Sequence, residues 1–317
     1  MSDSFLTPSK GSKSRVQVVI RARPQTTQEL KDKLESVVDL NEPEGQVIVA
    51  LEKTFAFDSC YSSDVTQEDI YRNVAANTIQ NFVNHTDSNA TILAYGQTGA
   101  GKTYTMLGND TDQGIIPRAL KDIFRSADPE TDSVGISFYE IHNEKVFDLL
   151  SQSQLKVTFL SIFLFCSIFN SFLFKVPLNI REEYGDFYLP QLKQQWTDSL
   201  SDALALLERG LKIRSIGSTA LNENSSRSHA VFRISLSRQS DDSSRIEGKL
   251  SLVDLAGSES VRKTNAHGER LTEANNINKG LLALGNCVSD ICANRSHIPF
   301  RNSTLTKVLR GNNYQII

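Results

Sequence analysis

Little in this chain points to an oxidising compartment or a structural metal. Among 317 residues there are four cysteines, Cys60, Cys166, Cys287 and Cys292. None falls in a CxxC pair or beside a histidine pattern, which sets aside a disulfide framework and a zinc site and leaves reduced, mostly buried thiols. An excess of either charge is also small, 34 Lys and Arg against 37 Asp and Glu for a net value of −3. Nothing therefore pulls the whole chain toward nucleic acid or an anionic membrane, and an acidic partner would need a local basic patch. The first fifteen residues are polar and serine-rich. Without an apolar core they are not a signal peptide, so residues 1–14 are expected to form a disordered lead-in and the protein to be intracellular. The remaining composition, 39% hydrophobic and 22% charged, is that of an ordinary soluble globular protein of one large domain or two small ones.

The strongest signal is Gly96-Gln97-Thr98-Gly99-Ala100-Gly101-Lys102-Thr103, which fits GxxxxGK[ST], the loop that wraps nucleotide phosphates. Ala90-Thr91-Ile92-Leu93-Ala94 ahead of it is apolar and β-branched enough for a buried strand, and Thr103-Tyr104-Thr105-Met106 can open a helix. That context matters because a helix start turns unpaired N–H groups and partial positive charge toward an anion. Glycines let the backbone approach the phosphates closely, Lys102 can reach the β- and γ-phosphates, and the Thr103 hydroxyl can ligate Mg²⁺.

Along the chain, Arg15–Ile20 predicts a first strand ending at Arg21-Ala22-Arg23-Pro24, where Pro24 stops the ladder. Short strands are expected at Val47–Leu51 and Phe55–Asp58, and an amphipathic helix over Gln67–Asn84. Past the phosphate loop the pattern predicts a helix through Phe124, a strand over Val134–Ile141, a turn at His142-Asn143-Glu144 and a returning strand over Val146–Leu150. Leu200–Leu211 has helical spacing, Arg214–Ser228 is a polar run, and Ala230–Ser237 and Lys249–Leu255 are strands. Asp254 and Gly257 stand at the end of the last, as an Asp-x-x-Gly that answers a γ-phosphate should. A long helix is expected over Ala274–Ile291, then a loop and helix over His297–Leu309.

Val157–Phe174 breaks this pattern, with no charge and a predominance of Phe, Leu, Ile and Ser. It is long enough for a membrane span. A single span, however, would put the phosphate loop and Asp-x-x-Gly on opposite sides of a bilayer, which excludes that reading. A buried helix or strand pair is the ordinary alternative, but Phe159–Cys166 has no polar face apart from Ser161. The composition points to translated intron: T- and A-rich sequence encodes these residues, and Val157-Thr158 is compatible with a GTAAC start.

Four stretches together resemble the kinesin motor domain: Arg21-Ala22-Arg23-Pro24, Gly96–Thr103, Asn222-Glu223-Asn224-Ser225-Ser226-Arg227-Ser228-His229 and Asp254-Leu255-Ala256-Gly257-Ser258-Glu259. The resemblance covers residues 15–310, interrupted by an atypical insert at 155–175 and followed by an atypical tail at 311–317. Ala90–Met106 and Gly280–Asn286 look most like the chromokinesin branch. The implied fold is an α/β P-loop NTPase, a central, mostly parallel twisted sheet with helices on both faces. The implied activity is ATP hydrolysis with Mg²⁺, driving movement on microtubules in the cytoplasm and cytoskeleton, including the spindle. By resemblance, Arg21, Arg23 and Pro24 lie on the adenine side and Tyr104 stacks near the base. Thr103 and Ser226 complete the metal shell, while Asp254 holds a metal-bound water. Gly257 offers its N–H to the γ-phosphate, Arg227 and Glu259 close as an ion pair, and Asn222 and Ser225 help position the attacking water. Catalysis in such a site is positioning and charge stabilisation.

Acidic tubulin would meet Arg262, Lys263, Lys279, Arg301 and Lys307. Two departures stand out. The family's Tyr-Arg-Asp-Ser-Lys run is here Phe300-Arg301-Asn302-Ser303-Thr304, replacing the final lysine. After Arg310 the family continues into a central strand, a final helix and a neck linker, whereas Gly311–Ile317 departs from that pattern. Gly311-Asn312 is compatible with GGTAAT, a second unrecognised splice site, and a missing interior strand would leave buried N–H and C=O groups of its neighbours unpaired. A non-motile nucleotide- or tubulin-binding fragment is therefore the alternative to a motor. A GTPase ranks third, because no base-reading Asn/Thr-Lys-x-Asp is present.

Overall fold

The computed structural model describes residues 16–50, 52–85, 88–151, 176–216, 226–239, 245–259, 269–310 and 314–316. The atypical insert, Asn222, Ser225, Arg262 and Lys263 lie outside them.

The chain opens with β1 (Val19–Arg21), α1 (Thr27–Lys31), β2 (Val38–Asn41), β3 (Gln46–Val49), β4 (Lys53–Ala56) and β5 (Ser59–Tyr61). Strands β2, β3 and β4 form a small antiparallel sheet, and β1 pairs with β5 in parallel. α1 starts in a capping box, the Thr26 hydroxyl accepting from the Glu29 amide while the Glu29 carboxylate accepts from the Thr26 amide. The expected helix over 67–84 is built in three pieces: α2 (Gln67–Ile70), one π turn (Tyr71–Ala75) and α3 (Ala76–Asn84).

Next come β6 (Asn89–Ala94), α4 (Lys102–Leu107), α5 (Ile115–Ser126), β7 (Asp132–His142) and β8 (Lys145–Asp148). Beyond the insert lie the hairpin β9 (Arg181–Glu183) and β10 (Asp186–Tyr188), then β11 (Gln195–Thr197), α6 (Leu200–Ile216), β12 (His229–Gln239) and β13 (Arg245–Asp254). The described chain ends with α7 (Glu269–Cys292), α8 (Thr304–Leu309) and β14 (Tyr314–Ile316). The main sheet runs β11-β7-β12-β13-β6-β14, with β8 also on β7. It is parallel where the phosphate loop hangs, β13, β6 and β14 running together, and antiparallel through β7, β12 and β11.

Alternation along the strands builds a core on each face. Phe138, Phe232 and Leu252 are in register and point to one side, where Ile79, Phe82, Leu120, Ile123 and Leu207 cover them. The Phe138 and Phe232 rings meet edge to face at 5.4 Å. Tyr139, Val231 and Val253 point to the other side, against Leu281 and Leu284 of α7 and Leu305 and Val308 of α8. Such strands sit between helix layers, so both faces must be apolar.

Strand β14 corrects one expectation. Tyr314, Gln315 and Ile316 pair in parallel with Asn89, Ala90 and Thr91, so the beginning of β6 does have a neighbour on that side. The described residues on either side of the insert meet β8: Asp148 accepts from the Ser151 amide, and Leu178 donates to Val146 at 2.7 Å. Of the cysteines, Cys60 and Cys287 are buried and Cys292 is exposed. No helix among the described residues is long and apolar enough to cross a membrane.

Candidate nucleotide site

Strand β6 ends at Ala94, and the loop to α4 wraps back on itself. Gly101 caps α4 with φ 92°, a left-handed conformation costly for any residue with a side chain. The space where its Cβ would point holds nothing nearer than Arg23 Cβ at 4.0 Å, so the strain lies in the backbone and the front of the loop is open. Lys102 Nζ donates to the carbonyls of Gly96 and Gln97, both at 2.9 Å. Burial lowers its pKa, opposed by the charges of Asp254 and Glu259.

Parallel pairing sets Asp254 opposite Ala94, so the end of β13 arrives beside the loop. The Thr103 hydroxyl donates to Asp254 Oδ2 at 2.8 Å. Asp254 Oδ1 is buried with no hydrogen-bond partner among the described residues. A buried carboxylate oxygen in that condition suits an outer ligand of a hydrated cation. No group of three or more His, Cys, Asp or Glu among the described residues could hold a metal. A cation here would rest on Thr103, Ser226, Asp254 and the ligand's own oxygens.

The segment after β13 is tied down amide by amide. Ala256 donates to His229 Nδ1 at 3.0 Å, Gly257 to the Ser226 carbonyl at 2.8 Å and Ser258 to the Gly96 carbonyl at 3.2 Å. A Cβ on Gly257 would fall 2.3 Å from Glu259 Oε2 and 2.4 Å from Thr98 Oγ1, so any side chain here would push the Glu259 carboxylate off Thr98. Accepting the Ala256 amide requires a neutral His229. Burial, then Arg214 and Lys102, push its pKa down to about 3.

The expected ion pair between Arg227 and Glu259 is not formed. Glu259 instead accepts from the Thr98 amide at 2.9 Å and the Thr98 hydroxyl at 2.6 Å. Burial opposes ionisation, but these hydrogen bonds hold its carboxyl below the usual range. Arg227 Nη1 donates to Glu273 Oε2 of α7 at 3.2 Å.

On the far side of the loop, the Arg21 guanidinium lies over the Tyr104 ring, 5.5 Å from its centre, and donates to Gln67 and Thr105 at 2.6 and 3.0 Å. Burial lowers its pKa, against Tyr104 and Asp112. Arg23 is clamped in bidentate fashion by Glu29 at 2.7 and 2.8 Å, and donates to the Pro24 carbonyl at 2.9 Å. Of the cations expected to face a filament, Lys279 is exposed on α7, Lys307 is half-buried on α8 and exposed Arg301 pairs with Glu182 of β9. Thr304 is not on that surface. It is buried, its amide donating to Glu144 Oε2 at 2.8 Å and its hydroxyl to the Glu144 carbonyl at 3.0 Å.

Sequence reasoning missed Arg214, read only as the start of a polar run. Its guanidinium meets Asp254 Oδ2 at 3.3 Å and the Ser228 carbonyl at 3.0 Å. A signal was available: Ala203, Leu207, Gly210 and Arg214 share one face of α6, so the arginine stands on an otherwise apolar stripe. Nothing local pointed to Glu273 or His142.

The kinesin motor-domain family model matches residues 21–312. The chain is 35% identical to mouse chromosome-associated kinesin KIF4 over an alignment of 321 residues, covering 95% of this chain and 24% of that protein. It is 36% identical to Drosophila melanogaster kinesin heavy chain over 306 residues, covering 93% of this chain and 29% of that protein. It thus spans about a quarter of the length of the curated relatives it matches. The solved structure of a fast kinesin superposes with a TM-score of 0.79 at 32% identity, covering 95% of this chain and 83% of that one. With the phosphate loop, the Asp254–Glu259 segment and the mixed sheet in these positions, the chain belongs to the kinesin motor-domain family.

Proposed function

We propose that this chain is an ATP-hydrolysing motor domain that moves on microtubules, acting in the cytoplasm and cytoskeleton, spindle microtubules included. The observation that carries the reading is the contact between Thr103 and Asp254, which joins the phosphate loop to the end of β13 at 2.8 Å. Mg²⁺, when bound, supplies charge neutralisation at the β- and γ-phosphates. Thr103 and Ser226 would hold it, with Asp254 one shell out. Lys102 would exchange its two carbonyl partners for phosphate oxygens, and Gly257 would turn its amide from Ser226 to the γ-phosphate. Arg21, Arg23, Pro24 and Tyr104 flank the position of the base. Asn222 and Ser225 would position the attacking water, and Arg227 would close on Glu259 over it. Lys279, Arg301 and Lys307, with Arg262 and Lys263, supply cations for acidic tubulin.

The test is ATP turnover by the purified chain with and without microtubules, beside a surface gliding assay. Filament-stimulated turnover with gliding is the expected result. Stimulated turnover without gliding would favour the non-motile alternative, and no turnover in either condition would overturn the enzymatic reading. Glu259→Ala should keep nucleotide bound and stop hydrolysis. Equal single-turnover rates in variant and parent would remove Glu259 from the mechanism.

A further inference from the structure

Arg227 and Glu259 stand on the two segments that meet at the nucleotide site, yet each is engaged elsewhere. Glu259 is held by Thr98 and Arg227 by Glu273. The second Glu273 oxygen, Oε1, lies 2.7 Å from His142 Nε2 at the end of β7. The Glu273 side chain is 15% exposed, against 30% for Arg227 and 32% for His142, so the carboxylate is better shielded than either partner. Its setting is stiff. Asn143 and Glu144 both take positive φ, 50° and 59°, in a tight hairpin turn. That turn is bonded to α7 through Asn276 on Asn143, and to α8 through Thr304 on Glu144.

We propose that Glu273 is a positioning residue that holds Arg227 away from Glu259, so that closing the nucleotide site is an exchange of carboxylate partners. The proposal rests on the ATPase reading above. In the exchange, Arg227 leaves Glu273 for Glu259, Glu259 releases the Thr98 amide and hydroxyl, and Glu273 keeps His142. One guanidinium–carboxylate pair is traded for another, and the carboxylate without the guanidinium keeps a hydrogen-bond partner in either state, Thr98 for Glu259 and His142 for Glu273. The difference between the two carboxylates therefore sets the equilibrium. Glu273 and Lys279 share α7, so a displacement of that helix on a filament changes the grip on Arg227. The surface that meets tubulin is thereby linked to the catalytic loop.

The test compares Glu273→Gln in the parent chain and in the Glu259→Gln background by the affinity of a non-hydrolysable ATP analogue, measured without filaments. Glu273→Gln should tighten that binding about two- to fivefold, the size expected for one partly exposed ion pair. In the Glu259→Gln background, which should bind nucleotide without hydrolysing it, the gain should vanish, because Arg227 then has no second carboxylate to reach. A merely structural role for Glu273 would instead shift both backgrounds alike, and that result, or no gain in the parent, would overturn the exchange. Amide hydrogen exchange across residues 226–230, measured without nucleotide, gives a readout independent of catalysis. It should quicken severalfold in Glu273→Gln. Unchanged exchange would sink the latch. Quickened exchange in a chain with no ATP turnover would instead uphold the latch and sink the ATPase reading.

Discussion

Arg214 and Asp254 form a buried ion pair beneath the nucleotide site, Nη1 to Oδ2 at 3.3 Å, with each side chain 6% exposed. The same Asp254 oxygen accepts from Thr103, so one carboxylate answers α6, the phosphate loop and its own strand end. Removing the arginine would leave Asp254 charged and buried with only the Thr103 hydroxyl. Arg214→Met should therefore cost about 3–5 kcal/mol of stability, the range for an orphaned buried charge. Arg214→Met with Asp254→Leu should recover part of that. Urea unfolding decides it, and a loss below about 1 kcal/mol for the single variant would mean the pair is solvated.

Lys102→Ala should abolish ATP binding, since the phosphates lose the only cation within the loop. Its present partners are two backbone carbonyls that water can satisfy at the loop surface, so the fold itself should survive. Titration calorimetry is the measurement. Nucleotide affinity equal to the parent's would refute the phosphate-loop assignment.

His229 makes stability depend on pH. Its folded pKa of about 3 lies below the ordinary histidine value, so the unfolded chain binds a proton that the folded chain refuses. The stabilising effect is full above pH ~6.5 and is lost as pH falls toward the folded value, about 2 kcal/mol of it by pH 5. Asparagine can present Oδ1 to the Ala256 amide without titrating. Unfolding midpoints of His229→Asn should consequently fall less steeply between pH 6.5 and 4 than the parent's. Parallel curves would show that His229 is protonated in the folded chain.

How much was legible in sequence follows from how local each feature is. The phosphate loop is eight consecutive residues whose types answer one ligand, so it could be read directly. The strands were legible because Ile136 and Phe138, Ile234 and Leu236, and Leu250 and Leu252 keep apolar residues two apart within short runs. The adjacent pairs Phe138-Tyr139, Val231-Phe232 and Leu252-Val253, by contrast, serve the two opposite cores. The β9–β10 hairpin was missed because Arg181-Glu182-Glu183 has no apolar alternation, although Gly185, at φ 87°, marks its turn. The π turn in 71–75 leaves helical periodicity nearly intact and so leaves no trace. Glu273 lies 131 residues from His142 and 46 from Arg227, and no spacing rule connects such groups.

Thr304→Lys, which would restore the family's usual residue, should not tighten microtubule binding. Thr304 begins α8 buried against Glu144, so a lysine there meets that carboxylate before it can reach solvent. Co-sedimentation at several salt concentrations is the check, since a new surface contact must weaken as salt rises. A gain that fades with salt would show that the ammonium escapes Glu144 and meets tubulin.

Deleting Val157–Lys175 should improve folding without touching the nucleotide site. The described residues on both sides of the atypical segment bond to the same strand: Leu178 bonds back to Val146, and Asp148 accepts from Leu150, Ser151 and Lys193. A chain that leaves and re-enters at one strand can be shortened between those points, because closing a shorter loop costs less entropy. Residues 152–156 and 176–177 remain to make the connection. The uncharged run is also an aggregation hazard during folding, when nothing yet covers it. None of its residues matches a phosphate-site position, so nucleotide affinity should hold. Soluble yield and the fluorescence change of a labelled ATP analogue, with and without the segment, test both halves. Lower yield or weaker binding after deletion would mean that the segment packs as part of the domain, and the translated-intron reading would fall with that result.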